Sequence, residues 1–164
     1  MNNQSFRQPH LPLASILRCK PNAVANINGS ADYPCISGTA KCYQTALGVV
    51  VCCEVSGLPD SEPDRIFGCH IHEGAACRGD INDPFSDAMT HYNPCRDKHP
   101  FHAGDLPPLF GNDGYALSLC LTDRFCVNEI IGKVIIIHDN PDDFVTQPAG
   151  NSGTKIACGV FKAF

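Results

Sequence analysis

Short apolar runs rich in β-branched residues recur along the chain, and clusters of Gly, Pro, Asn and Asp divide them. Runs of this kind are typical of β-strands that are bounded by turns. The pattern predicts seven strands, at residues 22–28, 36–45, 48–56, 65–72, 114–122, 133–138 and 155–161. Helical periodicity is nearly absent from the sequence, and residues 123–131 form the one helix candidate.

Seven or eight strands in 164 residues predict an all-β domain, built as an antiparallel sandwich or flattened barrel. The length suffices for one hydrophobic core, and no shift in composition indicates a second domain. We place the domain at residues 21–164 and interpret residues 1–20 as an N-terminal extension that lies against it, with one short helical turn. The extension lacks an early basic region and a small-residue cleavage site, so it does not resemble a signal peptide.

Two segments carry little strand or helix signal, at residues 77–113 and 139–154. A loop as long as the first is unusual in a compact domain unless it is functional or held in place. This loop contains His91, His99, His102 and Asp105. Metal bonds to these side chains could therefore replace the missing secondary structure.

The net charge of −5 and the pI of about 5.7 argue against nucleic acid and anionic membranes as partners, since both bind basic surfaces. No apolar stretch has the length of a transmembrane helix. The eleven cysteines contain no Cys-x-x-Cys spacing, and we interpret those inside strands, such as Cys52, Cys53 and Cys120, as buried thiols. Without a recognisable signal peptide, the sequence favours the cytoplasm and leaves export open.

Six of the seven histidines fall between positions 70 and 138, in phrases typical of metal ligands. Together with one carboxylate, these candidate ligands are His70, His72, His91, His99, His102, His138 and Asp105. Two four-coordinate ions require eight donor atoms, and seven residues supply eight if one imidazole uses both ring nitrogens. The donor count therefore predicts a two-metal site with a shared histidine.

Taken singly, each group of candidate ligands is ambiguous evidence for a metal site. His70 and His72 lie on one face of a predicted strand, but such a pair occurs about as often on a half-exposed strand as at a metal. His102 and Asp105 suit a tight turn that presents a nitrogen and an oxygen to one ion. Three nitrogens with one carboxylate oxygen form a zinc-type set, whereas an all-imidazole set suits copper. His10 stands apart from these phrases, and we interpret it as a non-ligand.

Four phrases resemble the signatures of the copper/zinc superoxide dismutases. Residues 68–73 (Gly-Cys-His-Ile-His-Glu) are similar to that family's Gly-Phe-His-Val-His, and residues 91–94 (His-Tyr-Asn-Pro) to its His-Phe-Asn-Pro. Residues 101–106 (Phe-His-Ala-Gly-Asp-Leu) are similar to its Arg-His-x-Gly-Asp-Leu, and residues 150–159 to its C-terminal signature. The resemblance extends over about residues 22–161, with the motifs in the family's order.

The resemblance implies an eight-stranded Greek-key barrel or sandwich of antiparallel strands with long metal-binding loops. It implies that copper is bound by His70, His72, His91 and His138. It implies that zinc is bound by His91, His99, His102 and Asp105, with His91 bridging the two ions. Asp142 would hydrogen-bond to one histidine of each metal and fix both rings, and Cys77 would form a disulfide with Cys158.

The implied activity is dismutation of superoxide to oxygen and hydrogen peroxide, through a redox-cycling copper bridged to zinc. Lys155 occupies the position of the family's active-site arginine and would act in catalysis together with His91. It keeps the positive charge but lacks the planar fork of donors. This departure leaves an alternative function, a catalytically weak or inactive module that buffers copper and zinc, or a zinc-only scaffold. The implied substrate is the superoxide anion, and the resemblance is compatible with a homodimer.

Overall fold

The computed structural model of the protein describes residues 12–60 and 65–164, and most of them are in strands and loops. The strands are β1 (Ala23–Gly29), β2 (Ser37–Thr45), β3 (Gly48–Ser56), β4 (Ile66–Phe67), β5 (Cys69–His72), β6 (Leu109–Phe110), β7 (Tyr115–Thr122), β8 (Val134–His138) and β9 (Lys155–Ala163). All seven predicted strands are present, with ends that differ by at most two residues from the prediction. The short strand β6 was not predicted and lies in the loop 77–113.

Every strand pair in the described residues is antiparallel. Seven strands form one curled sheet in the order β5-β8-β9-β1-β2-β3-β7, and β4 pairs with β6. The strands β4 and β5 form one extended run that changes partner at Gly68. The Gly68 N–H donates to Asn140 O at 2.8 Å, and the Gly68 carbonyl accepts from His138 N–H at 2.9 Å. The run joins the β4–β6 pair to the large sheet, and the architecture agrees with the predicted barrel.

The strand β8 shows why the apolar run that precedes the candidate ligand His138 does not alternate with polar residues. Its five residues are all buried. Ile135 and Ile137 lie in the main core, whereas Val134 and Ile136 pack on the other face against Phe85. A strand that is covered on both faces has apolar side chains at every position, so period-two alternation is lost.

The segment between β5 and β7 is irregular, and a disulfide holds it to the barrel. It contains one turn of 3-10 helix (Ser86–Ala88) and the strand β6. Cys77 in this segment is bonded to Cys158 of β9, with Cα atoms 5.6 Å apart. The predicted disulfide is therefore confirmed, and the remaining cysteines are free thiols.

Two single-turn helices occur in the described residues, α1 (Leu13–Ile16) and α2 (Val127–Ile130). The first is the helical turn predicted for the extension, and none of its residues is buried. The second occupies four residues of the helix candidate 123–131. Residues 1–11, which include His10, lie outside the described residues. Within the described residues, no helix is long and apolar enough to cross a membrane.

Candidate metal centre

The strands β5 and β8 bring the candidate ligands together. His70 and His72 point to one side of β5 because side chains alternate along a strand. Isolated bridges pair His72 with His91 and His70 with Asp105. His138 is the last residue of β8, which pairs with β5. Residues that are distant in the sequence therefore meet at one edge of the barrel.

The structure places the seven candidate ligands in two adjoining groups, and the donor atoms of each group lie within 4.8 Å of one another. The four-histidine cluster consists of His70, His72, His91 and His138. The mixed cluster consists of His91, His99, His102 and Asp105. His91 belongs to both clusters, in the position of the shared histidine that the donor count predicts.

In the four-histidine cluster, three rings are held from outside and turn their other nitrogen inward. The outer contacts are His70 Nε2 to Asp142 Oδ2 at 2.7 Å, His72 Nδ1 to Met89 O at 3.0 Å, and His138 Nδ1 to Gly153 O at 3.3 Å. The inward atoms His72 Nε2 and His138 Nε2 are 3.4 Å apart. Two nitrogens that each bind one ion at about 2.0–2.1 Å lie no more than about 4.2 Å apart. The spacing therefore fits a common ion.

In the mixed cluster, the Asp105 carboxylate lies between the three rings. Its Oδ1 is 2.7 Å from His91 Nδ1, and its Oδ2 is 3.1 Å from His99 Nδ1 and 3.4 Å from His102 Nδ1. Burial alone would raise the pKa of Asp105, but the hydrogen bond from His91 lowers it below its ordinary value. Since His91 Nδ1 faces the mixed cluster, its Nε2 is left for the four-histidine cluster.

Asp142 contacts one ring of each cluster. Its Oδ2 accepts from His70 Nε2 at 2.7 Å, and its Oδ1 accepts from His99 Nε2 at 2.8 Å. Burial alone would raise the pKa of Asp142, but hydrogen bonds from His70 and other donors hold it well below its ordinary value. An ionised carboxylate is acceptor-only, so each Nε2 carries a proton and each Nδ1 is left with a lone pair.

Three rings of the four-histidine cluster, those of His70, His72 and His138, have a pKa below the ordinary value, which favours the neutral imidazole. Burial lowers the pKa of His70 despite its hydrogen bond to Asp142. Burial, followed by repulsion from His91 and His138, holds the pKa of His72 well below its ordinary value. Burial, followed by repulsion from His70, lowers the pKa of His138 to about 3. Neutral imidazole is the form that binds a metal ion.

A cavity of about 440 Å³ leads to the four-histidine cluster. Its walls include three histidines of the cluster, which are His72, His91 and His138. Lys155 lines the same cavity, and the β8–β9 register places it opposite His138. Its ammonium group is ion-paired with Asp83. The catalytic role of Lys155 stays a prediction.

Three residues that contact candidate site residues were not among those predicted from the sequence. Gly150 has a φ of 66°, and a Cβ there would overlap Asp142 Oδ1 and His99 Nε2, so the position requires glycine. Gln147 donates from Nε2 to His99 O at 2.7 Å and accepts from His99 N–H at 3.0 Å. Asp83 is the third. Gly150 stands in a glycine-rich phrase, whereas Gln147 and Asp83 stand in loop sequences that carry no recognisable motif.

A family model described as copper/zinc superoxide dismutase matches residues 36–161. Copper/zinc superoxide dismutase 1 of Aquifex aeolicus is 35% identical over 142 residues, which cover 76% of this chain and 79% of that protein. The copper/zinc superoxide dismutase of Deinococcus radiodurans is 34% identical over 146 residues, which cover 78% of each protein. The structure of Cu/Zn superoxide dismutase from Brucella abortus matches with a TM-score of 0.71 at 24% identity. That match covers 84% of this chain and 98% of the other, and it shows a shared fold.

Proposed function

The chain belongs to the copper/zinc superoxide dismutase family, and we propose that it converts two superoxide anions and two protons to oxygen and hydrogen peroxide. The observation that carries this proposal is the pair of adjoining clusters that share His91. Copper is assigned to the four-histidine cluster, which is His70, His72, His91 and His138. Zinc is assigned to the mixed cluster, which is His91, His99, His102 and Asp105.

The chemistry of the two clusters fits these ions. His70 Nδ1 and His91 Nε2 are buried and have no hydrogen-bond partner within the described residues, and His99 Nδ1 lies 3.1 Å from Asp105 Oδ2 without forming a hydrogen bond. A buried polar atom without a partner costs about 1–3 kcal/mol, so three in one place indicate that a cation completes them. Four imidazoles suit copper, and three imidazoles with a carboxylate suit zinc.

When bound, copper supplies the one-electron oxidation and reduction that the reaction requires. The chain itself binds the anion and delivers a proton. His72, His91 and His138 form the cavity wall that the anion meets, and Lys155 contributes a positive charge there. His91 Nε2 faces the four-histidine cluster and is positioned to hold the proton that the peroxide product takes up. Asp142 keeps the rings of both clusters oriented.

Metal content and superoxide consumption, measured on the same preparation, test the proposal. We expect one copper and one zinc per chain, and a rate that rises in proportion to the copper content. Both metals without superoxide consumption would contradict the proposal and favour the metal-buffering alternative. Zinc alone, with no copper uptake under reconstitution, would favour the zinc-only scaffold.

A homodimer through the outer face of β7 is part of the same proposal. Leu117, Leu119 and Leu121 alternate along this strand and are 60%, 40% and 48% exposed. The strand is also an edge of the seven-stranded sheet, where a second copy could align about a two-fold axis. Sedimentation equilibrium is expected to show a wild-type dimer and a Leu119→Glu monomer. A monomeric wild type at micromolar concentration would contradict this.

The expectations about compartment and other partners stay predictions. The disulfide between Cys77 and Cys158 favours an oxidising compartment, which opposes the cytoplasmic location favoured by the sequence. Cell fractionation would decide between the two. The net charge of −5 continues to argue against nucleic acid and anionic membranes.

A further inference from the structure

The segment that the disulfide ties to β9 holds Lys155 at the cavity wall. Lys155 Nζ is 2.5 Å from Asp83 Oδ2 and donates a hydrogen bond to Phe85 O at 3.2 Å. The Lys155 side chain is 16% exposed, and that of Asp83 is 39% exposed. Lys155, which occupies the position of the family's active-site arginine, is therefore part of a half-enclosed ion pair.

The local backbone fixes the Asp83 carboxylate. The Asp83 N–H donates to Asp80 Oδ1 at 3.1 Å, and Asp83 Oδ1 accepts from Phe85 N–H at 3.0 Å. Phe85 is buried in a small cluster with Cys158. Asp83 thus has one oxygen bonded to the backbone and the other bonded to Lys155, so its orientation is defined.

Pairing has two opposed effects on an anion that enters the cavity. Adjacent opposite charges act at a distance as a dipole, so the paired ammonium attracts an anion less than a free ammonium would. Against this, lysine has a flexible four-carbon chain, and an acceptor fixes where its charge lies. Asp97 and Lys98, which also line the cavity, carry opposite charges. Lys155 therefore leaves the side chains of the lining with one net positive charge, and Asp83, which is paired with Lys155 but does not line the cavity, offsets that charge.

We propose that Asp83 is a positioning residue that acts through Lys155. It holds Lys155 at the cavity wall and limits the positive charge that Lys155 presents to an entering anion. The inference rests on the proposed function, because it concerns anion entry to the same cavity. In the described part of the chain, Asp83 is the carboxylate that forms an ion pair with Lys155. Wild type and three variants give this pair three net charges, −1, 0 and +1, and each net charge predicts a different anion affinity.

The probe is azide, a small monovalent anion, titrated by absorbance into the copper-loaded protein at low salt. Asp83→Asn keeps an oxygen acceptor for Lys155 and removes one negative charge. Between the dielectric of bulk water and that of a protein surface, a unit charge roughly 8 Å from a bound anion changes its affinity by a factor of about 2 to about 30. We expect azide to bind Asp83→Asn more tightly by that factor, and we expect the gain to shrink as salt is added.

A double-mutant cycle of Asp83→Asn and Lys155→Ala tests whether the net charge of the pair causes the change in azide affinity. Lys155→Ala leaves Asp83 unpaired and should bind azide most weakly, whereas the double variant should bind azide about as tightly as wild type. Asp83→Ala also removes the charge but supplies no acceptor, so its gain should be less than roughly half that of Asp83→Asn. Asp87→Asn is the matched control, because Asp87 lies in the same segment and pairs with Arg78 instead.

Equal gains for Asp83→Asn and Asp83→Ala would overturn the holding role. Unchanged or weaker azide binding by Asp83→Asn, or an equal gain for Asp87→Asn, would overturn the charge role. Azide binding is an equilibrium measurement, so it can be separated from the reaction. If the expected order appears without superoxide consumption, the proposed function fails and this inference stands. If superoxide is consumed but the order is absent, this inference alone fails.

Discussion

The variant His91→Ala is expected to consume superoxide at least about 100-fold more slowly than wild type, per bound copper. His91 is the residue that both clusters share, so each proposed ion loses one nitrogen. The substitution also removes the group that we propose to hold a proton, and positioned proton donors contribute about 10²- to 10⁴-fold to rates. Pulse-radiolysis or competition assays, with metal content measured on the same sample, provide the comparison.

Two further measurements make this result specific to the shared ring. His10→Ala is the matched control, since His10 is the histidine that we interpret as a non-ligand, and its activity should equal that of wild type. With copper(II) in one site and cobalt(II) in the zinc site, the wild type should show magnetic coupling between the ions. Coupling that persists in His91→Ala would show that another group bridges them.

Most of the fold follows from local sequence patterns. In β1 the side chains alternate between the core and the exterior, and this half-buried pattern is recognisable without a structure. The run 133–138 shows no alternation, yet it is short, β-branched and bounded by turn residues, so it still predicts a strand. The two-residue strand β6 was missed because Leu109 and Phe110 follow consecutive prolines and carry no pattern of their own.

Part of the candidate site could likewise be predicted from the sequence, and part of it could not. The candidate ligands stand in short phrases with fixed spacing, because strand and turn geometry requires that spacing, and the phrases can be recognised. The structure groups these residues into two clusters that share His91, while the metal that each cluster holds stays a proposal. Gln147 forms two hydrogen bonds with the His99 backbone, and Asp83 forms an ion pair with Lys155 of β9. Such contacts depend on how the loops pack, which no local pattern encodes.

Removal of the disulfide by Cys77→Ala with Cys158→Ala is expected to lower the free energy of unfolding by about 4.5 kcal/mol at 25 °C. The bond links residues 81 apart, so it removes a large amount of chain entropy from the unfolded state. Measured effects of removing native disulfides fall at about 2–5 kcal/mol, and domains of this kind have about 5–15 kcal/mol in total. Urea unfolding of metal-free protein measures the change without a contribution from metal binding.

The reduced wild type should unfold at the same urea concentration as the double variant, because both lack the same bond. A variant with Cys35→Ala and Cys95→Ala, two exposed free thiols, is the matched control and should keep the wild-type midpoint. Peptide mapping without reduction should recover Cys77 and Cys158 linked in air-oxidised protein. Identical midpoints for oxidised and reduced wild type would contradict the prediction. Amide hydrogen exchange tests a second effect of the bond. If the Cys77→Ala, Cys158→Ala variant folds but exchanges faster around Asp83, the disulfide also holds in place the residues that contact Lys155.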